Sequence, residues 1–356
     1  MKDRNEICLV TGGGGFIGCA IAKSLTERFA QVVVMDNLHP QVHSQRVRPK
    51  DLHSDVKFVL GDVTSSNSWD AVLSVYQPDV IYHLAAETGT GQSLTESYRH
   101  SNVNVSGTAC MLDALSKHSI TPRKIILTSS RAVYGEGGWR DAEGGLTYPG
   151  MRTKAMLDNN QWDFPGLLPT PFSAVITLPK PTSIYGITKF AQEEILRCWC
   201  DAYGVELIIT RLQNVYGVGQ SLTNPYTGIV PFFTQLAKSG RSIPVYEDGK
   251  IVRDFVYITD VANALIEVLD RNLGNHIVDI GSGVPNTINR LANLIAKRYG
   301  APDPHICGLY REGDVRSASC DLNPTLELIS WRPQVSFEAG IDALCTWIDQ
   351  LAKGIK

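Results

Sequence analysis

Four consecutive glycines, Gly12 to Gly15, stand between Thr11 and Phe16, and a fifth, Gly18, follows two residues later. An apolar run enters this turn over residues 6–11 (Glu-Ile-Cys-Leu-Val-Thr), and an apolar, alanine-containing stretch leaves it over 16–28. A strand that breaks on glycines into a helix N-terminus is an anion site. The backbone approaches a pyrophosphate closely, and the helix's free N–H groups and dipole favour negative charge. Two registers fit, G-x-G-x-x-G through Gly13, Gly15 and Gly18, or G-x-x-G-x-x-G through Gly12, Gly15 and Gly18, and the spacing does not choose between them.

A second strand, Gln31-Val32-Val33-Val34-Met35, ends on Asp36. A carboxylate at that point suits both hydroxyls of an adenosine ribose and repels a 2′-phosphate, so the expected cofactor is NAD rather than NADP. Further strand-helix alternations follow. Val56 to Leu60 runs into Gly61-Asp62-Val63, Val80 to Ala86 into a polar loop from Glu87 to Ser93, Lys124 to Thr128 into Ser129-Ser130, and Val205 to Thr210 into Arg211. This periodicity predicts an α/β fold with a Rossmann-type doubly wound parallel sheet. Residues 1–215 are the expected NAD-binding domain and 216–356 a smaller C-terminal α/β substrate-binding domain, with some elements returning to the sheet.

Composition excludes other classes. A formal net charge of −3 exerts no pull toward nucleic acid or acidic membranes. No apolar run reaches a membrane-spanning length, and the polar start at Met1 to Glu6 does not read as a signal peptide. The eight cysteines are scattered without a C-x-x-C pair, which predicts a reduced, cytoplasmic protein with buried thiols and no metal site.

Tyr185 and Lys189 lie four residues apart, one helical turn, within a predicted helix over 183–203. An ammonium near a phenol favours the phenolate, which makes a tyrosine usable as a general base. A hydroxyl at the end of the Lys124 strand can assist by bonding the same substrate oxygen; Ser130 is favoured over Ser129. A second long helix is predicted over 94–117, with Asn104 placed to bond backbone near the tyrosine. His83 reads as a packed strand-end histidine. Residues 136–181 form an irregular insertion rich in Gly and Pro, whose Trp139, Trp162, Phe164 and Phe172 argue for order. Arg253, Arg311 and Arg316 each sit beside a carboxylate and together suggest clamps on a diphosphate.

Taken in order, Thr11 to Gly18, His83-Leu84-Ala85-Ala86, Ser129-Ser130 with Val133-Tyr134-Gly135, Tyr185-x-x-x-Lys189, Arg211-x-x-Asn214-x-Tyr216-Gly217 and Arg253-Asp254-Phe255 resemble the extended short-chain dehydrogenase/reductase family, in its nucleotide-sugar epimerase and dehydratase group. The resemblance covers nearly the whole chain. It implies that Gly12, Gly15 and Gly18, with Phe16 and Ile17, hold the pyrophosphate, that Asp36 and Asn37 hold the ribose, and that Asp62 and Val63 meet adenine. It implies that Leu84, Ala85, Ala86 and Asn104 complete the NAD site. Tyr185 would be the base, Lys189 would bond the nicotinamide ribose and tune that base, and Ser130 would bridge to the reacting hydroxyl. Glu87, Thr88, Asn214, Tyr246, Arg253 and Arg311 would face a nucleotide-diphosphate sugar, Tyr246 against its base.

One departure is informative. The related 4,6-dehydratases carry Asp-Glu after the catalytic hydroxyl, whereas this chain has Arg131-Ala132, which cannot supply acid and base for water loss. The expected activity is therefore an NAD-dependent nucleotide-sugar 4-epimerase acting through a 4-keto intermediate on a dTDP- or UDP-linked hexose. The long insertion is similar to that of 4-epimerases acting on deoxysugars. A 4-ketosugar reductase consuming NAD(P)H, or a non-catalytic NAD or nucleotide-sugar binder, are the alternatives. A homodimer through the helices 94–117 and 183–203 is also expected.

Overall fold

In the computed structural model, residues 3–222 and 228–354 are described. Seven strands form one parallel sheet: β1 Asp3–Thr11, β2 Phe29–Asp36, β3 Lys57–Leu60, β4 Val80–His83, β5 Lys124–Ser130, β6 Glu206–Leu212 and β7 His276–Ile280. Their spatial order is β7-β6-β5-β4-β1-β2-β3. The chain starts in the middle at β1, runs outward to β3, then crosses back to β4 and runs out the other way. That reversal between β1 and β4 is the crevice where doubly wound sheets take ligands.

The inner strands read as unbroken apolar runs because helices cover both faces. Cys8, Leu9 and Val10 of β1 and Ile125, Ile126 and Leu127 of β5 are all buried. One face packs under α1 (Phe16–Thr26), through Ile21, Ala22 and Leu25, and under α4 (Ile258–Asp270), through Val261, Leu265 and Val268. Burial of Ile21 or Leu25 is worth ~1.5–3 kcal/mol each, enough to seat the glycine turn's helix firmly on the sheet. The other face carries α2 (Gly107–Lys117), through Met111 and Leu115, and α3 (Ile184–Tyr203), through Leu196 and Cys200.

The expected single helix over 94–117 is broken. Short helices Gln92–Thr95 and Ser97–Ser101 hinge at Glu96, and a π turn, Asn102–Ser106, precedes α2. Such turns often mark functional positions. Here the π turn carries Asn104, whose amide both donates to and accepts from the Glu87 backbone, at 3.0 and 2.8 Å.

Beyond β6 the chain builds a second core around Phe233, Phe255, Leu291, Ile295 and Leu344, and β7 and α4 return to the main sheet. The insertion is irregular but tied down. A three-stranded sheet of Trp139–Arg140, Leu146–Thr147 and Leu168–Pro169 packs Trp139 fully inside. Phe172 bonds to the backbone of Ser319 and Asp321. Arg152, buried, binds both oxygens of Glu247 at 2.8 and 2.9 Å. Among the described residues no helix is long and apolar enough to cross a membrane, no cluster suits a metal ion, and all eight cysteines are free thiols.

Candidate active site

A cavity of about 1020 Å³ runs along the crevice from the glycine turn to the end of β5. Gly12, Gly15, Phe16, Ile17 and Gly18 line one end, with Asp36 and Asn37 at the end of β2. Two glycines decide the turn's shape. Gly12 has φ +65, and a Cβ there would lie 2.6 Å from the Ala85 nitrogen, while a Cβ on Gly18 would meet the Gly13 backbone at 2.4 Å. A side chain at either position would push the turn off the sheet or off the end of β4.

The buried Asp36 carboxylate accepts from the Gly14 N–H at 3.0 Å and the Leu38 N–H at 2.8 Å, which aims it along the cavity wall. We expect Asp36→Ala to weaken NAD binding while improving NADP binding. Dissociation constants for the two cofactors check this, and an unchanged preference would remove Asp36 from the ribose site.

Asn37, which lines the cavity, also braces Asp62. The Asn37 amide donates to Asp62 at 2.9 Å, and the Thr64 backbone and hydroxyl donate to the same carboxylate at 2.8 and 2.7 Å. Burial works against the Asp62 charge, but these three bonds win and hold its pKa below the ordinary range. Asp62 stands behind the wall as a brace between the β2 and β3 loops, while Gly61 and Val63 line the cavity. Leu84, Ala85, Ala86, Glu87 and Thr88 line its other side. Asn104 stands back from the wall, holding the Glu87 backbone and the Thr188 hydroxyl, the latter at 2.9 Å.

At the far end α3 presents Tyr185. Ser183 caps the helix by accepting from the Gly186 N–H at 3.0 Å, and Ser93 accepts from the Tyr185 N–H at 3.1 Å. Gly186 lets the helix dock: a Cβ there would sit 2.5 Å from the Ala132 carbonyl oxygen. That docking brings the phenol beside the Ser130 side chain, which favours its ionised form. Ser129 points the other way and donates to buried Glu193, so the choice of Ser130 agrees with the geometry.

Burial raises the Tyr185 pKa above its ordinary value, opposed by the Ser130 bond and by the charge of Arg131. Lys189 is fully buried beneath the wall, its ammonium donates to Gln192, and burial pushes its pKa down to about 7 despite nearby Glu193. Gln192 in turn donates to Thr108 at 2.8 Å. Thr108 gives its own proton to the Asn104 carbonyl at 2.7 Å, so His83 Nε2 donates to Thr108 at 3.0 Å. His83 is therefore neutral and packed, as the sequence suggested; burial pushes its pKa down to about 3.

The arginines divide. Arg316 is a structural ion, wrapped by Asp163, Glu247 and Asp248 and only 3% exposed, which removes it from the expected diphosphate clamp. Arg253 pairs with Asp314, and Arg311 lies over the Tyr246 ring at 5.3 Å. Arg253, Arg311 and Tyr246 lie outside the cavity wall, whereas Asn214 lines it and accepts from Arg131 Nε at 2.9 Å. Sequence reasoning treated Arg131 only as a missing acid. Its position directly after Ser130 was the available signal that it enters the site.

Residues 8–155 and 164–281 match the NAD dependent epimerase/dehydratase family. The chain belongs to that family. It is 55% identical over 343 residues to a dTDP-L-rhamnose 4-epimerase of Burkholderia thailandensis, covering 96% of this chain and 94% of that one. A UDP-glucose 4-epimerase of Mycolicibacterium smegmatis is 28% identical, covering 94% and 95%. Among solved structures, the UDP-glucose 4-epimerase of Thermotoga maritima with UDP-glucose superposes with a TM-score of 0.79 at 28% identity, covering 97% of this chain and 99% of that one. The cofactor is NAD, and the enzyme is a nucleotide-sugar 4-epimerase.

Proposed function

We propose that this epimerase interconverts dTDP-L-rhamnose and its C4 epimer. The observation that carries the chemistry is the Ser130–Tyr185 pair, facing the cavity that begins at the glycine turn. No acid follows Ser130, because Arg131 and Ala132 occupy those positions. The near full-length likeness to a dTDP-L-rhamnose 4-epimerase supports the choice of sugar.

The cavity residues would hold NAD with its adenosine end at Asp36 and its pyrophosphate on the Gly12–Gly18 turn, and the tightness of both glycines fits a dinucleotide there. When bound, NAD supplies a hydride acceptor and donor for the sugar's C4. Tyr185 takes the proton from the 4-hydroxyl and later returns it to the same oxygen on the other face. Ser130 holds that oxygen in line, and its hydrogen bond offsets part of the burial that keeps the phenol protonated. Removing the Ser130 hydroxyl deletes one hydrogen bond to a charged oxygen, so Ser130→Ala is expected to lower turnover by ~10–100-fold. Unchanged turnover would exclude that role.

Incubation with dTDP-L-rhamnose and no added cofactor should yield the C4 epimer. Conversion only with stoichiometric NAD(P)H would make the protein a reductase, and conversion of UDP-hexoses alone would reject the dTDP-deoxysugar.

A homodimer through the Gln92–Lys117 region and α3 belongs to the same reading, as does residence in the cytoplasm. Leu94, Tyr98, Ile187 and Tyr203 on those segments are all more than half exposed. Light scattering at monomer mass would reject the dimer.

A further inference from the structure

Arg131 is a cation of the cavity wall with donors to spare. It lines the wall beside Ser130, Tyr185 and Asn214. Its Nε is spent on Asn214, and neither Nη group donates to any described residue. A guanidinium carries five N–H donors in a planar fork, and the four on the Nη groups are left for a ligand here.

The charges around it point the same way. Arg253 is the like charge that acts on it most, and Asp314, already paired with Arg253, is the carboxylate that opposes it. Tyr185 and Glu136 also face it. Glu136 is buried against Arg152, and burial raises its pKa to about 7, so it is a poor counter-ion for Arg131. Burial and then Arg253 push the Arg131 pKa down to about 9. Two guanidiniums thus share the Asp314 carboxylate.

We propose that Arg131 is a substrate-binding residue that grips the diphosphate of the nucleotide sugar. Asn214 orients the fork through Nε, which turns the two Nη groups toward the ligand. A phosphate accepts such a pair of donors in bidentate fashion and supplies the missing negative charge. Arg131 takes the place in the clamp that Arg316 cannot fill. The assignment rests on the nucleotide-sugar reading above and deepens it.

The test is titration calorimetry on the NAD-loaded enzyme with thymidine diphosphate, uridine diphosphate and thymidine. For Arg131→Gln the diphosphates should bind ~10–100-fold more weakly, the loss of one charged bidentate contact, with thymidine binding unchanged. The KM for the nucleotide sugar should rise in step, and loss of the Arg131 charge beside Tyr185 should move the alkaline limb of kcat to higher pH. Arg131→Lys keeps the charge without the fork and should recover part of the loss. If the glutamine variant fails to fold, the lysine variant carries the test, with diphosphate binding weakened and thymidine binding intact. Diphosphate affinity within twofold of wild type in the variants overturns the proposal, and so does a fall in kcat at constant KM. Failure of the wild type to bind either diphosphate would overturn the functional reading together with it.

Discussion

Tyr185→Phe is expected to lower epimerase turnover by at least ~100-fold, the usual scale for a lost general base. The substitution removes one oxygen and leaves the ring, so α3 keeps its docking on the Ala132 turn through Gly186. NAD content and the unfolding midpoint should match wild type. Burial holds the phenol above its ordinary pKa, so it must lose its proton before it can act. Wild-type turnover should therefore rise with pH toward the alkaline side, and the residual activity of the variant should lose that limb. Near-normal turnover in Tyr185→Phe, or the same pH limb in both proteins, would take the base role away from Tyr185.

The largest effect on stability is expected from Arg211→Met. Arg211 and Glu193 are both about 2% exposed or less, and they meet at 2.7 and 3.1 Å between β6 and α3. Arg211 also lies over the Tyr134 ring at 4.7 Å, and Tyr134 donates to buried Asp279 at 2.8 Å. Burial opposes the Arg211 charge, but the Glu193 bonds outweigh it and keep the guanidinium protonated. Methionine fills similar volume and leaves Glu193 charged, with the Ser129 hydroxyl as its remaining partner. Breaking a buried pair in this way costs ~3–5 kcal/mol. Urea unfolding at fixed NAD concentration measures it. Adding Glu193→Gln to Arg211→Met should recover much of the loss, because the orphaned charge is then gone. A single variant as stable as wild type would show that the pair contributes nothing net to the fold.

The doubly wound parallel sheet and the pyrophosphate turn were legible along the chain, because both rest on local regularities. Strand and helix periods, Asp36 at a strand end and the spacing of Tyr185 to Lys189 are all read within one or two elements. The side-chain assignments were less legible. The bond from Asn37 to Asp62 has no local signal, since the loops after β2 and β3 meet side by side only in the fold. The contact of Lys189 with Gln192, three residues on, likewise has no signal of its own in the Tyr-x-x-x-Lys spacing.

By itself, then, the sequence determined the doubly wound sheet, the anion turn, the tyrosine on its helix and the missing dehydratase acids. Each depends on residues a few positions apart, whose relations are set by backbone geometry. Only the tertiary structure decided which arginine serves the cavity. Arg316 is drawn into a carboxylate cage whose Asp163 and Glu247 lie 153 and 69 residues away. Arg131 meets Asn214 across 83 residues. No local pattern encodes such meetings, because they exist only once the sheet has brought the ends of β5 and β6 together. The glycine run was visible from the start as an anion site. The partner that completes the substrate end of the same crevice emerged only from the fold.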